Sequence, residues 1–286
     1  MIQRTCGFAV ITFLFIASFV GCSSGSTSHR AQWWFDSIEC QYDLDAGENL
    51  SMALIDSGID IAHPDLKKCR METIDLLEDS QKHDLKHGTA MAGVISAIPG
   101  SDNGLIGIVP GIFLYDIIVV GEDGTCSNEL LAHAIAVATE KEVDVINISI
   151  GTTTDSPALK EAINIALSKD IIVVAATSNA GIEEVIYPAA YDGVVKVLPV
   201  NKEGKYLYGT KEVEEGDSYI KTPGKDIVTT MVNKNKLYTT MDGTSIATSI
   251  ASASIARVLY EYPAIDRATL LDKLYFQDMV DLRAVF

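Results

Sequence analysis

The feature that most constrains this chain is a regular alternation of short, almost uninterrupted apolar runs with amphipathic stretches. Ser51 to Gly58 is an apolar run closing on an acid and a turn. Phe113 to Val120, Val143 to Ile150, Ile171 to Ala176, Val194 to Val200 and Asp226 to Thr230 also read as strands. Between them, Asn128 to Lys141 carries Leu130, Leu131, Ala134, Ile135 and Ala138 on one helical face, and Ser156 to Lys169 reads as a second helix. Strands apolar on both sides need cover on both sides. The alternation therefore predicts an α/β fold, a three-layer sandwich with a mostly parallel central sheet between two layers of helices. With 286 residues and neither an internal repeat nor a long low-complexity run, one large domain is the simplest reading.

Chemistry-bearing residues fall at the ends of these elements. Asp56 closes the first apolar strand, at the carboxyl end where open parallel sheets build their sites. His87 opens a helix rich in glycine and alanine, His87-Gly88-Thr89-Ala90-Met91-Ala92-Gly93, whose small residues allow close approach to neighbouring backbone. Ser245 stands in Asp242-Gly243-Thr244-Ser245-Ile246-Ala247-Thr248-Ser249, a tight turn with cap residues feeding a buried helix. A helix N-terminus favours negative charge, which suits a hydroxyl that attacks a carbonyl beside a developing oxyanion. The plain alternative at Ser245 is a residue capping a core helix. A serine, a base to take its proton and an acid to orient that base are the parts of a Ser-His-Asp triad.

In context these residues resemble the subtilisin-like serine peptidases, or subtilases. The resemblance is carried by Ala53-Leu54-Ile55-Asp56-Ser57-Gly58-Ile59-Asp60 with His63-Pro64-Asp65-Leu66, His87-Gly88-Thr89 with Ala92-Gly93, and Asp144 to Gly151. Ala175 to Gly181 with Asn179, Tyr187-Pro188-Ala189-Ala190-Tyr191 and Gly243 to Thr248 continue it. The resemblance implies a subtilisin-like fold over residues 50–286 and a serine endopeptidase working through an acyl-enzyme. Ser245 would be the nucleophile, His87 the general base and acid, Asp56 the orienting carboxylate and Asn179 the oxyanion amide. The partner would be a protein or peptide in extended conformation, lying between Gly124-Thr125-Cys126 and Ser149-Ile150-Gly151. No cofactor is required. Calcium is common in the family and Asp65 sits where a ligand can occur, although the loop from Ile98 to Gly107 is no clear match.

Four departures stand out. Ser178 replaces a glycine at the wall of the pocket for the residue preceding the cleaved bond, which points to small or polar side chains there. Ala90, Ile246 and Ser249 replace the usual histidine, methionine and proline. Ser178 and Ser249 motivate the alternative function, a binding or regulatory protein that keeps the fold with weakened chemistry. Many secreted subtilases carry a domain-sized folding propeptide; residues between Cys22 and Ser51 leave no room for one, so folding is expected to proceed unaided or with help supplied separately.

Met1 to Gly21 combines Arg4 with the apolar run Phe8 to Val20 and ends in Val20-Gly21-Cys22. It resembles a bacterial lipoprotein signal, which implies a lipidated N-terminus at Cys22 and a tether and lead-in over residues 22–49. The chain would then be anchored outside the cytoplasmic membrane, or in an outer membrane. Phe19 departs from the usual aliphatic residue, and cleavage elsewhere or a retained anchor is the alternative. A formal net charge of −17 and the lack of a basic stripe exclude nucleic acid as the partner. With Cys6 removed and Cys22 lipidated, Cys40, Cys69 and Cys126 remain, an odd number without zinc-ligand spacing.

Overall fold

The computed structural model describes residues 33–38, 40–78, 82–181, 184–208, 219–232 and 236–275. Met1 to Gly21, Cys22 and the first part of the expected tether lie outside the described residues.

Seven strands make one parallel sheet: β1 (Ser51–Asp56), β2 (Arg70–Asp75), β3 (Phe113–Ile118), β4 (Val145–Ile148), β5 (Ile172–Ala176), β6 (Val195–Val200) and β7 (Tyr219–Pro223). Their spatial order is β2-β3-β1-β4-β5-β6-β7. The apolar runs behave as their composition requires, with β1, β4 and β5 buried along almost their whole length. Two helices, α2 (Lys86–Ser96) and α5 (Thr244–Glu261), cover one face, where Leu54, Leu114, Val145 and Val174 meet Met91, Ile95, Ile246 and Ile250. The other face is covered by α3 (Asn128–Glu140) and α4 (Pro157–Ser168) over Ala53, Ile55, Ile146 and Val173. Ser127 and Ser156 cap α3 and α4 by accepting from Leu130 N and Leu159 N, so those boundaries follow from local chemistry. The fold is the expected α/β sandwich.

Two elements differ from the sequence reading. The edge strand β2 has no apolar alternation to betray it; Arg70, Glu72, Thr73 and Asp75 are exposed, as an unpaired sheet edge tolerates. The run at Asp226 to Thr230 does form a strand, β8 (Ile227–Thr230), but it pairs antiparallel with β9 (Tyr238–Met241) in a separate hairpin. The Trp33-Trp34-Phe35 patch forms a short helix, α1 (Trp33–Ser37), and Trp34 and Phe35 are buried in the core. The C-terminal helix α6 (Arg267–Tyr275) adds Leu270 and Leu274 to the same cluster.

The topology positions the site. From β1 the neighbouring strands are reached in opposite directions, β3 on one side and β4 on the other, so the carboxyl end of β1 is a switch point where a crevice opens. Asp56 is the residue at that end.

Candidate active site

Asp56 is fully buried, and its carboxylate is held in place from two sides. Its Oδ1 accepts from Ser57 N at 2.7 Å, and His87 Nδ1 lies 2.8 Å from Oδ1 and 2.9 Å from Oδ2. The imidazole reaches it because α2 packs directly on the turn after β1. Gly88 N donates to Ser57 Oγ at 3.1 Å, and a side chain at Gly88 would sit 2.4 Å from Gly58 O. His87 therefore presents Nδ1 to the carboxylate and leaves Nε2 toward the partly open rim, its side chain being 36% exposed. Burial alone would lower the pKa of His87. The charge and hydrogen bond of Asp56 outweigh that and hold it above its ordinary value.

Ser245 is half-buried in the first turn of α5. Asp242, at the start of the turn, accepts from Asp226 N at 2.7 Å and pairs with Lys225. Gly243 is the cap position, at φ 137°, and no side chain of the turn caps the helix. The cap comes from across the cleft. Asn179 Oδ1 accepts from Thr244 N at 2.9 Å and from Thr244 Oγ1 at 3.0 Å. Those two donors fix the amide so that Nδ2 remains a donor beside the helix end, while Ser245 N has no partner within the helix. Thr244 was not singled out in the sequence, and a Thr beside a candidate nucleophile is the only signal that marks it.

A buried polar network sets α5 on β4. Ser252 Oγ donates to Asn147 Oδ1 at 2.9 Å, Asn147 Nδ2 donates to Ser149 Oγ at 3.0 Å, and Ser149 Oγ donates to Ser245 O at 3.2 Å. The Ser245 hydroxyl itself donates to Ser149 O at 3.0 Å. No hydrogen bond joins it to His87 in this arrangement. The register pairing Ile55 with Ile148 sets Asp56, which holds His87, beside Ser149, which holds the Ser245 hydroxyl, one strand spacing of about 4.8 Å away. Ser249, in place of the usual proline, donates to Ser245 O at 3.2 Å and sits within an unbroken helix.

The two predicted substrate segments follow β3 and β4 on either side of β1. Gly124 and Thr125 are exposed and Cys126 is half-buried, with Thr125 N and Oγ1 both donating to Asp123. Ser149 is buried, Ile150 is half-buried and Gly151 is exposed. Ser178 is buried; its hydroxyl accepts from Ala180 N at 2.8 Å and donates to Glu184. Ile186 lies against Gly151, where an added Cβ would sit 2.4 Å from its Cγ2. Neither Glu184 nor Ile186 was picked out from the sequence, because only the folded loop brings them to Ser178 and Gly151.

Asp65 does not fit a calcium ligand. Its Oδ1 accepts from Gly100 N at 2.7 Å, and its Oδ2 accepts from Leu105 N and from Tyr238 Oη, each at 2.8 Å. Calcium needs six to eight oxygen ligands, whereas the atoms turned toward this carboxylate are N–H and O–H donors. Cys40, Cys69 and Cys126 are free thiols, and burial pushes them up to about 12, 11 and 11 respectively.

A buried carboxylate holding an imidazole at the carboxyl rim of a doubly covered parallel sheet, with a serine opening the adjacent helix, is the architecture of a serine protease of α/β type. Residues 47–280 match the subtilase family. The chain is 33% identical to the major intracellular serine protease of Bacillus subtilis (strain 168) over 247 residues, covering 81% of this chain and 75% of that protein. Among solved structures it is similar to the S41 psychrophilic protease (TM-score 0.72, 26% identity, 89% and 93% of the two chains). It is also similar to the prenylagaramide maturation protease PagA (TM-score 0.68, 26% identity, 80% and 83%). The chain belongs to the subtilase family, and it is a subtilisin-like serine protease.

Proposed function

We propose that this protein is a serine endopeptidase in which Ser245 attacks the peptide carbonyl, His87 takes and returns the proton, and Asp56 orients and stabilises the imidazolium. The observation that carries this reading is the doubly engaged Asp56–His87 pair at the switch point, one strand spacing from Ser149, whose carbonyl accepts from the Ser245 hydroxyl. In the resting arrangement the Ser245 hydroxyl rests on Ser149 O. Turning it to His87 Nε2 when substrate enters exchanges one hydrogen bond for another, and apo geometry of this kind is often looser than that of the Michaelis complex. Ser245 N and Asn179 Nδ2 then receive the oxyanion, the amide being aimed by its two bonds from Thr244.

The substrate lies extended along the rim. Because β1 ends at Asp56, the segments after β3 and β4 flank a slot two strand spacings wide, about 10 Å, which is the width that an inserted strand needs. Ser149-Ile150-Gly151 and Gly124-Thr125-Cys126 supply backbone partners. Ile186 against Gly151 and the Ser178–Glu184 contact favour a small side chain before the cleaved bond. Similarity to PagA supports maturation of a precursor peptide as the role, with general proteolysis as the broader one. No calcium is assigned to Asp65, whose oxygens already tie its loop through protein donors. The likeness of Met1 to Cys22 to a lipoprotein signal supports a location at the cell envelope through a lipid on Cys22.

Labelling with a fluorophosphonate probe tests the central claim. Labelling of the wild type that disappears in Ser245→Ala supports it; equal labelling of both, or none of either in a folded protein, leaves only the binding or regulatory reading.

A further inference from the structure

The strand β3 carries an acid that the mechanism above does not use. Asp116 interrupts the apolar run from Phe113 to Ile118 and is fully buried. Its Oδ2 accepts from Ile59 N at 3.2 Å and from Thr73 Oγ1 at 3.2 Å, while its Oδ1 is buried with no partner. A carboxyl group left half-satisfied inside a core is destabilising unless something is gained from it.

Its position is suggestive. In the parallel register Asp116 stands opposite Leu54 of β1, and Asp56 lies two residues further along, on the same face of the sheet. One strand spacing and two residues of rise put the two Cα atoms about 8 Å apart. The bond to Ile59 N reaches the turn that leaves Asp56 and on which α2 rests. In that turn Ser57 Oγ accepts from Gly88 N, and Asp60 N donates to Thr89 Oγ1 at 2.8 Å.

We propose that Asp116 is a positioning residue of the Asp56–His87 pair: its carboxylate clamps the turn from Ser57 to Asp60 through Ile59 N, and its charge is felt by the imidazole through Asp56. The proposal rests on the reading of Asp56 and His87 as the catalytic pair. The charged groups facing Asp116 are Asp56 from β1 and Asp75 from β2, the latter paired with His83 at 2.7 Å. The other charges on the packed elements turn elsewhere, Asp60 to Ala62 N, Lys86 to Asp84, Arg70 to Glu48 O and Gly111 O, and Glu72 to Lys141. Burial, with further contributions from Asp56 and Asp75, outweighs the two hydrogen bonds and pushes Asp116 up to about 6. Ionised Asp116 favours protonated His87, and protonated Asp116 does not. Asp56 acts on both groups, so under the proposal their titrations are linked through it.

Asp116→Asn removes the charge and keeps an acceptor for Ile59 N; Asp116→Ala removes both. The readouts are the NMR titration of the His87 ring, assigned with His87→Gln, and the pH profile of kcat/KM on a peptide substrate. In the wild type, His87 should titrate over a range broader than one proton gives. In Asp116→Asn the curve should sharpen to a single proton and move down by about 0.5 to 1 pH unit, with the acid limb of kcat/KM moving alike. Asp116→Ala should add a fall in kcat of about tenfold from the loosened turn. A His87 curve in Asp116→Asn that superimposes on the wild type overturns the proposal. Should neither variant fold, a one-proton His87 curve in the wild type overturns it equally. The ring titration needs no turnover, so failure of the peptidase reading would appear separately, as an inactive enzyme with a coupled His87.

Discussion

Gly88→Ala isolates the contact that brings the imidazole to its carboxylate. A Cβ at position 88 would lie 2.4 Å from Gly58 O and 3.0 Å from Gly58 C and N, all backbone atoms. An ordinary carbon–oxygen contact is nearer 3.3 Å, so α2 must withdraw by about 0.9 Å from the turn after β1. Carried to His87, the neighbouring residue, that withdrawal stretches the 2.8 Å bond to Asp56 beyond hydrogen-bond length. Two consequences follow. Overpacking of this kind destabilises by about 1–3 kcal/mol, opposed by about 1 kcal/mol because alanine favours helix over glycine. The net loss is about 0–2 kcal/mol, which for a domain of this size lowers Tm by at most roughly 8 °C. The displacement itself should reduce kcat/KM by about 10²-fold, the penalty for misplacing a catalytic group by an ångström. Thermal unfolding and peptide hydrolysis measured on the same preparations check both, with the exposed Lys86→Ala as the control. A Gly88→Ala protein with higher Tm and unchanged kcat/KM would refute the reasoning, since helix propensity would then have won over the contact.

Three further outcomes are expected. Because Asp56 holds the pKa of His87 above 6.5, kcat/KM should fall toward acid with a midpoint above that value. The stability that this pair contributes should be complete below pH 6.5 and fade as the pH rises through the raised value, which parallel pH series of kcat/KM and Tm would check. Asn179→Ala should lower kcat by roughly 10² to 10³ with little change in KM, a magnitude taken over from subtilisin itself, where loss of one oxyanion amide has that effect; single-turnover kinetics would expose an unchanged chemical step as the contrary result. Chelator should leave Tm within about 1 °C, whereas Asp65→Ala should lower it by several degrees, because Gly100 N, Leu105 N and Tyr238 Oη lose their acceptor at about 1–3 kcal/mol for each group left unsatisfied. A large chelator effect on scanning calorimetry would mean that a metal holds this loop after all.

Much of the fold was legible because burial on both faces of a strand writes itself as an apolar run. β1, β4, β5 and β6 are of that kind and were found to within two residues at each end. The edge strand β2 was not legible, because its exposed face carries Arg70, Glu72 and Asp75 and its pairing is supplied wholly by β3. The hairpin partner of β8 was hidden for a similar reason: Tyr238 to Met241 is only half-buried and takes its conformation from the strand beside it.

The sequence by itself determined which side chains are the candidates for the chemistry. Asp56, His87, Asn179 and Ser245 each stand at an element end inside a local pattern, and local patterns are written in adjacent residues. Only the tertiary structure decided how they are held. The cap of α5 comes from Asn179 across the cleft and not from Asp242 in its own turn, Asp65 spends its oxygens on three distant donors, and Asp116 reaches Ile59 from another strand. Each of these bonds joins groups 35 or more residues apart, and a hydrogen bond within about 3 Å depends on where the backbone returns in space, which nearby residue order does not encode.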